Sequence, residues 1–261
     1  MIIGIFHQGS GLGNQLHRYV ATRVKAADLG VDWGMLYNPD GSGKEEGFKG
    51  KSFMNIDMGL PVSFDDQGYI RGIGCHTRRF NEKKVVENGV DIRSYDPEFN
   101  FIKNYTIIDG EFQDERYWEH REHEVDNWLT TQKLDVDNNV CVIGFRGGEF
   151  SLYPDLFLTK DYYDEAITEM RKINPNMRFE VHTDDENLAK KCFPEFKVIH
   201  DIGLNWRSMR YAKYAIIANS SFFILPRWLN KGLTIAPRYW GRRNTKVWSL
   251  PQNYYKRFKY I

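Results

Sequence analysis

The sequence predicts an α/β protein of two Rossmann-like parts, and three observations predict it. An apolar run, Val140 to Phe145, stops at Arg146, Gly147, Gly148 and Glu149, as a buried strand does when it delivers polar groups to its carboxyl end. Beyond it, short apolar runs alternate with amphipathic stretches of about ten residues, the pattern of a parallel sheet with helical crossovers. The chain also opens with its own strand, glycine turn and helix.

In chain order, residues 2–6 read as the first strand, followed by the glycine-rich turn His7 to Gln15. Leu16, Tyr19, Val20, Val24 and Ala27 then fall on one helical face. Such a turn presents backbone N–H groups to an anion, but its spacing is not the dinucleotide fingerprint, and a purely structural turn is the commoner use. From Gly30 to about residue 100 the sequence is glycine-rich and polar, with a charged segment from Gly41 to Gly47, and reads as loops with short strands. Tyr105 to Gln113 reads as a short strand running into a polar turn, and Asp114 to Trp128 as a helix. That helix carries His120 and His123 on a shared face; a solvated charged face explains them better than a metal site, since the order is not His-Glu-x-x-His. Residues 134–139 read as a linker, dividing the chain into domains of 1–135 and 136–261.

After the linker come a strand at 140–145, a helix at 159–173 with Tyr163, Ala166, Ile167 and Met170 on one face, a strand at 178–182 and a helix at 185–193. Then follow a strand at 196–199, a helix at 206–213, a strand at 214–218, a helix at 221–230 and a strand at 233–236.

Bulk properties narrow the function classes. The 261 residues are 41% hydrophobic, enough to bury a sizeable core, yet no apolar run approaches the roughly 18 residues of a membrane span. Met1 to Phe6 reads as a strand rather than a signal sequence, so a cytoplasmic location is expected. Cys75, Cys141 and Cys192 are odd in number and widely spaced, which fits buried free thiols rather than disulfides or zinc. The net charge of +1 hides a division: residues 206–261 carry twelve Lys and Arg and no Asp or Glu, leaving about −11 on the rest. Such a segment suits a phosphorylated ligand or an anionic membrane surface. Nucleic acid is not expected as a partner, since no accompanying motif is present.

If the sheet is parallel, its carboxyl ends converge on one edge. The first strand of the second half supplies Arg146 and Glu149, the second supplies Asp184 and Asp185 after His182 and Thr183, and the fourth supplies Asn219, Ser220 and Ser221. An arginine fork and serines at a helix N-terminus suit phosphate oxygens, and an aspartate can accept from a ribose or a base edge. Together they describe a pocket for a nucleoside diphosphate. Each also has a plainer use: Asn219, Ser220 or Asp184 as helix caps, Arg146 as an ion-pair residue, Glu149 as a solvated carboxylate.

These segments resemble the α-1,2-fucosyltransferases of glycosyltransferase family 11, within the wider GDP-fucose-dependent group. The family's Gly-Gly-Leu-Gly-Asn-Gln is similar to Ser10 to Gln15, its Asp-Gly-Tyr-Phe-Gln to Asp109 to Gln113, and its His-x-Arg-Arg-Gly-Asp-Tyr to Gly144 to Phe150. Asp161-Tyr162-Tyr163, Thr183 to Asp185, Ile217 to Phe222 and Ile235 to Pro237 continue the likeness in order, while residues 30–104 lie outside it. The resemblance implies a B-type glycosyltransferase fold, two Rossmann-like domains facing across a cleft. It also implies an inverting transfer from a nucleotide sugar, GDP-fucose, to a glycan hydroxyl, with neither cofactor nor metal. The second domain would bind the donor and the first the acceptor, which in such pathways can be lipid-linked.

Under the resemblance Arg146 grips the donor pyrophosphate, joined by Asp184, Asp185, Asn219, Ser220 and Ser221, and Gly11, Gly13, Asn14 and Gln15 close over the donor. Glu149 is the candidate base. The chain departs from the family where Gly144 replaces a histidine, Gly147 the second arginine and Glu149 an aspartate. Two alternatives therefore stand: a transferase using another nucleotide sugar, and a non-catalytic relative that binds nucleotide or glycan.

Overall fold

A computed structural model describes residues 1–37, 47–63, 78–87, 90–92, 94–238 and 255–261. Cys75, most of the charged segment at 41–47, and Arg242, Arg243 and Lys246 lie outside the described residues. The chain divides into two compact units, Met1–Thr130 and Thr131–Ile261.

The first unit is organised on a parallel sheet with strand order β2-β1-β6-β3. Its strands are β1 (Ile2–Phe6), β2 (Trp33–Tyr37), β3 (Arg78–Asn81) and β6 (Thr106–Asp109), and β4 (Val85–Glu87) and β5 (Val90–Ile92) form a separate antiparallel pair. Helix α1 (Leu12–Leu29) buries Leu16, Tyr19, Val20 and Val24 as the periodicity requires, whereas Ala27 is exposed in the last turn. The helix packs so closely that a Cβ on Gly4 of β1 would sit 2.1 Å from the Thr22 hydroxyl, so the strand needs glycine there. Ile3, Ile5, Leu36 and Ile107 form a buried cluster on this sheet.

The stretch expected to be one helix from 114 to 128 is broken. Two 3₁₀ turns, Glu115–Tyr117 and Glu119–Arg121, precede a short α2 (Glu122–Trp128). The Asp114 carboxylate accepts from Arg116 N–H, which stabilises the first tight turn. Tyr117 and Trp118 are both fully buried, and their packing overrides the helical pattern.

The second unit is a six-stranded, wholly parallel sheet of order β12-β11-β10-β7-β8-β9. Its strands are β7 (Val140–Phe145), β8 (Arg178–Thr183), β9 (Lys197–Ile199), β10 (Tyr214–Ile216), β11 (Leu233–Ala236) and β12 (Phe258–Tyr260). Between them run α3 (Lys160–Ile173), α4 (Glu186–Cys192), α5 (Ile202–Tyr211) and α6 (Ser221–Leu229). Counted in chain order this is the doubly wound arrangement, which reverses direction between β7 and β10. All six residues of β7 are buried, as expected of the central strand, and α3 turns Tyr162, Tyr163, Ala166, Ile167 and Met170 inward.

Helix α5 begins four residues before the expected 206, because the Asp201 carboxylate accepts from Leu204 N–H and caps it. Of the cysteines expected to be buried thiols, Cys141 is buried and Cys192 only partly so.

Candidate functional site

The site extends outward from β7. The strand ends at Phe145, and Arg146 turns its guanidinium to Asp184 at the end of the adjacent β8, with Nη1 2.6 Å from Oδ2. The other Asp184 oxygen accepts from Gly147 N–H at 3.0 Å, so one carboxylate holds both the arginine and the loop that carries it. The Arg146 guanidinium lies 4.8 Å from the Phe150 ring centre and its Nη2 is 3.5 Å from Glu149 Oε1. Its side chain is 23% exposed, and its buried Nε has no hydrogen-bond partner. Glu149 itself is 71% exposed, so this ion pair is weak and solvent-screened.

The loop after Arg146 has no room for other residues. A Cβ on Gly147 would lie 2.7 Å from that of Asp185, and one on Gly148 would lie 2.6 Å from Asp184 Oδ2. Gly148 also sits at φ +22°, where a side chain is strained. Gly144 is closed in the same way, since a Cβ there would meet the Phe223 ring at 2.8 Å and Met209 Cε at 2.9 Å. Space for a histidine at 144 is thus filled from α6 and α5. His182, paired with Gly144 across β7 and β8, is fully buried; its Nδ1 and Asn205 Oδ1 are 3.0 Å apart and its Nε2 has no partner.

β10 lies beside β7 on the other flank and leads through Asn219 and Ser220 into α6. Ser220 occupies the N-cap in extended geometry, but its hydroxyl does not cap, and the first turn contains no acidic residue. The positive end of α6 is therefore not offset by a local carboxylate. Asn219 donates Nδ2–H to Leu156 O at 2.9 Å, while its buried Oδ1 has no partner. Asp185 has a structural duty as well: it caps α4 by accepting from Leu188 N–H at 3.0 Å.

Gly11, Gly13, Asn14 and Gln15 lie in the first unit, at the start of α1. Gly11 is the N-cap of a helix whose first turn likewise has no acidic residue. Gly13 O accepts from His17 Nδ1 at 2.7 Å, and Asn14 Oδ1 accepts from Gln113 Nε2 at 3.0 Å, joining two of the motif segments. Gln15 is buried, with its amide spanning Gly47 O and Lys49 N–H.

Several residues central to this region were not singled out from the sequence. Arg18, buried on α1, donates to Gly110 O, Ser10 Oγ and Glu111 Oε1 at 2.7 to 2.8 Å, tying the glycine turn to the 109–113 segment. Glu82 accepts from the N–H groups of Glu111 and Phe112. Those bonds hold Phe112 at φ +49°, which is uncommon for a bulky residue. His7 Nε2 contacts Asp109 Oδ1 at 2.7 Å, and Arg79 donates to Asp109 Oδ2 at 2.9 Å. Burial raises the Asp109 carboxyl, but the bonds from His7 and Arg79 and their charges outweigh it and hold it below the usual carboxylate range.

His120 and His123 engage different partners, Asp28 and Asn127. Among the described residues no group of His, Cys, Asp and Glu is placed to hold a metal, and no helix is long and apolar enough to cross a membrane.

No family model matches the chain. Among curated proteins it is 25% identical over 276 residues to an α-1,2-colitosyltransferase from Escherichia coli, covering 93% of this chain and 94% of the relative. Among solved structures, the E. coli heptosyltransferase WaaC with ADP superposes with a TM-score of 0.49 at 11% identity, covering 100% of this chain and 93% of that one. The α-1,6-fucosyltransferase NodZ soaked with GDP-fucose gives 0.45 at 11% identity, covering 87% and 92%. Both superpositions are loose; the sequence likeness spans nearly the whole chain and agrees with the motifs set at the strand ends. The chain is thus similar over nearly its whole length to a glycosyltransferase.

Proposed function

We propose that the protein transfers a sugar from a nucleoside-diphosphate donor, GDP-fucose first among candidates, to a glycan hydroxyl by direct displacement with inversion. One observation carries the reading. Arg146 and the open N-terminus of α6 leave the carboxyl ends of β7 and β10, the adjacent strands at which the sheet reverses. Ligands of open α/β sheets bind at that point. A guanidinium with an unpartnered Nε, an uncapped helix end and the orphaned Asn219 oxygen support reading that edge as a receptor for a pyrophosphate and its ribose.

In the transfer, the acceptor oxygen bonds to the anomeric carbon as the bond from that carbon to the diphosphate oxygen breaks, and the electron pair leaves on the diphosphate. Arg146 and the α6 N-terminus stabilise that developing charge. Asp184 keeps Arg146 in position, and Glu149 can orient the same guanidinium. The basic C-terminal segment would attract the donor and dock on an anionic membrane surface where lipid-linked acceptors reside.

A second reading has a specific observation in its favour. The filled space at Gly144 and the closed loop at Gly147 remove two family contacts, which favours a different nucleotide sugar as donor. The similar E. coli protein is named for transfer of colitose, and a colitose donor belongs in the same assay. Calorimetric titration with GDP, UDP and ADP, followed by turnover of the matching sugars, tests both readings: selective GDP binding with sugar release supports GDP-fucose, and preference for UDP or ADP refutes it. GDP binding with no release or transfer of any sugar would leave only a binding protein.

A further inference from the structure

We propose that Phe150 is a positioning residue that holds Arg146 ready for the diphosphate, and that it acts through the electron-rich face of its ring. This rests on the donor site proposed above and gives a role to an aromatic side chain that the transfer does not otherwise use. Phe150 belongs to the 3₁₀ turn Glu149–Leu152. Gly148, at φ +22° and ψ −129°, reverses the chain after β7 and brings that turn back towards Arg146. The turn is fixed in place: Ser151 N–H donates to Gly147 O and its hydroxyl to Gly148 O, both at 2.8 Å, and Tyr153 N–H donates to Phe150 O at 3.0 Å. The Arg146 guanidinium is thereby set over the Phe150 ring, with 4.8 Å between Cζ and the ring centre.

An aromatic face attracts a cation within about 6 Å through its quadrupole. That contact differs in kind from the other two that Arg146 makes. Asp184, at 2.6 Å, takes up one N–H donor and sets a negative charge against the guanidinium. Glu149, 3.5 Å from Nη2 and 71% exposed, is screened by solvent and also brings a negative charge. The ring restrains the same group while taking none of its donors and adding no charge. The unpartnered Nε stays available to a phosphate oxygen, and the site keeps more of its attraction for an anion.

Ordering also matters. An arginine already held by the fold loses less conformational freedom when its ligand arrives. Asp184 alone grips the guanidinium at Nη1, and a ring beneath it limits rotation about that grip. A leucine at 150 would fill part of the same space without an attractive face.

Ring-fluorinated phenylalanines with one, two and three fluorines, placed at 150 by suppression of a stop codon, keep the shape of the side chain and progressively weaken its face. These proteins, Phe150→Leu and Phe150→Tyr are compared with wild type by calorimetric titration with GDP, alongside the melting midpoint. The expected result is a loss of about 3- to 30-fold in GDP affinity for Phe150→Leu, and affinity within about twofold of wild type for Phe150→Tyr. Each added fluorine should lower the affinity further at an unchanged melting midpoint. In an Arg146→Ala background the same changes at 150 should shift GDP affinity by less than about twofold, since the group that the ring holds is gone. Wild-type affinity in Phe150→Leu overturns the assignment. So does an affinity indifferent to fluorine, which means that the ring only fills space, and so does a loss that adds in full to that of Arg146→Ala. A wild type that binds no GDP refutes the donor reading instead, and the positioning role falls with it.

Discussion

At the scale of single residues, two buried histidines make stability depend on pH. His17 donates from Nδ1 to Gly13 O and packs against Trp118, and His182 meets Asn205; neither Nε2 has a partner. Burial pushes each down to about 4. In the unfolded chain histidine takes up a proton below about pH 6.5, so between 6.5 and 4 the unfolded state binds more protons than the fold. Stability is therefore full above that window and falls as the pH drops through it, by roughly 1.4 kcal/mol per pH unit for each histidine where both differ fully. Urea midpoints measured from pH 7 to 5 should decline, and His182→Gln should decline less steeply; parallel profiles for the two proteins contradict the account. The contact of His7 with Asp109 was hidden in the sequence. His7 and Asp109 are 102 positions apart, and only the pairing of β1 with β6 makes them neighbours. Arg146 was legible because its motif is local.

At the scale of elements, α6 is fastened by Arg227. The side chain is fully buried and donates to Met209 O, Ala212 O, Leu233 O and the Thr234 hydroxyl, joining α6 to the end of α5 and to β11. Burial lowers its guanidinium to about 9. Replacing it with Met removes the donors; Ala212 O keeps the bond from Asn230 Nδ2, while Met209 O and Leu233 O lose theirs, at about 1 to 3 kcal/mol for each one left unsatisfied. Urea denaturation of Arg227→Met should show a loss of at least about 2 kcal/mol; a loss below about 1 kcal/mol means those carbonyls find other partners. Elements were legible where apolar runs met glycine or polar punctuation, as at β1, β7 and β8. They were not where packing or a distant partner decided: Trp118 and Tyr117 broke the 114–128 helix, and Asp201 started α5 early. β12 is a three-residue edge strand, Phe-Lys-Tyr, too short for its pattern to stand out from a loop.

At the scale of the whole molecule, the described C-terminal cations do not all act as one surface. Arg227 is interior, Lys259 pairs with Glu169 at 2.8 Å, and Arg257 lies against the Trp228 ring while donating to Trp228 O. The remaining charge still predicts salt-sensitive sedimentation with liposomes containing anionic lipid, and sedimentation unchanged between low and high salt contradicts a charge-driven contact. The parallel character of the second sheet was legible from its strand and helix alternation, whereas its strand order was not. The first unit was less legible, because β6 lies far along the chain from its neighbour β1 and the intervening sequence has little periodicity. That second sheet sets Arg146 and α6 at its reversal point, and the functional account depends on this placement. Calorimetric titration of wild type and Arg146→Ala with GDP tests it most directly. The account predicts GDP binding by wild type and a loss of about 1.5 to 3 kcal/mol, roughly 10- to 150-fold, in the variant at an unchanged melting midpoint. Equal GDP affinity in the two proteins would contradict it.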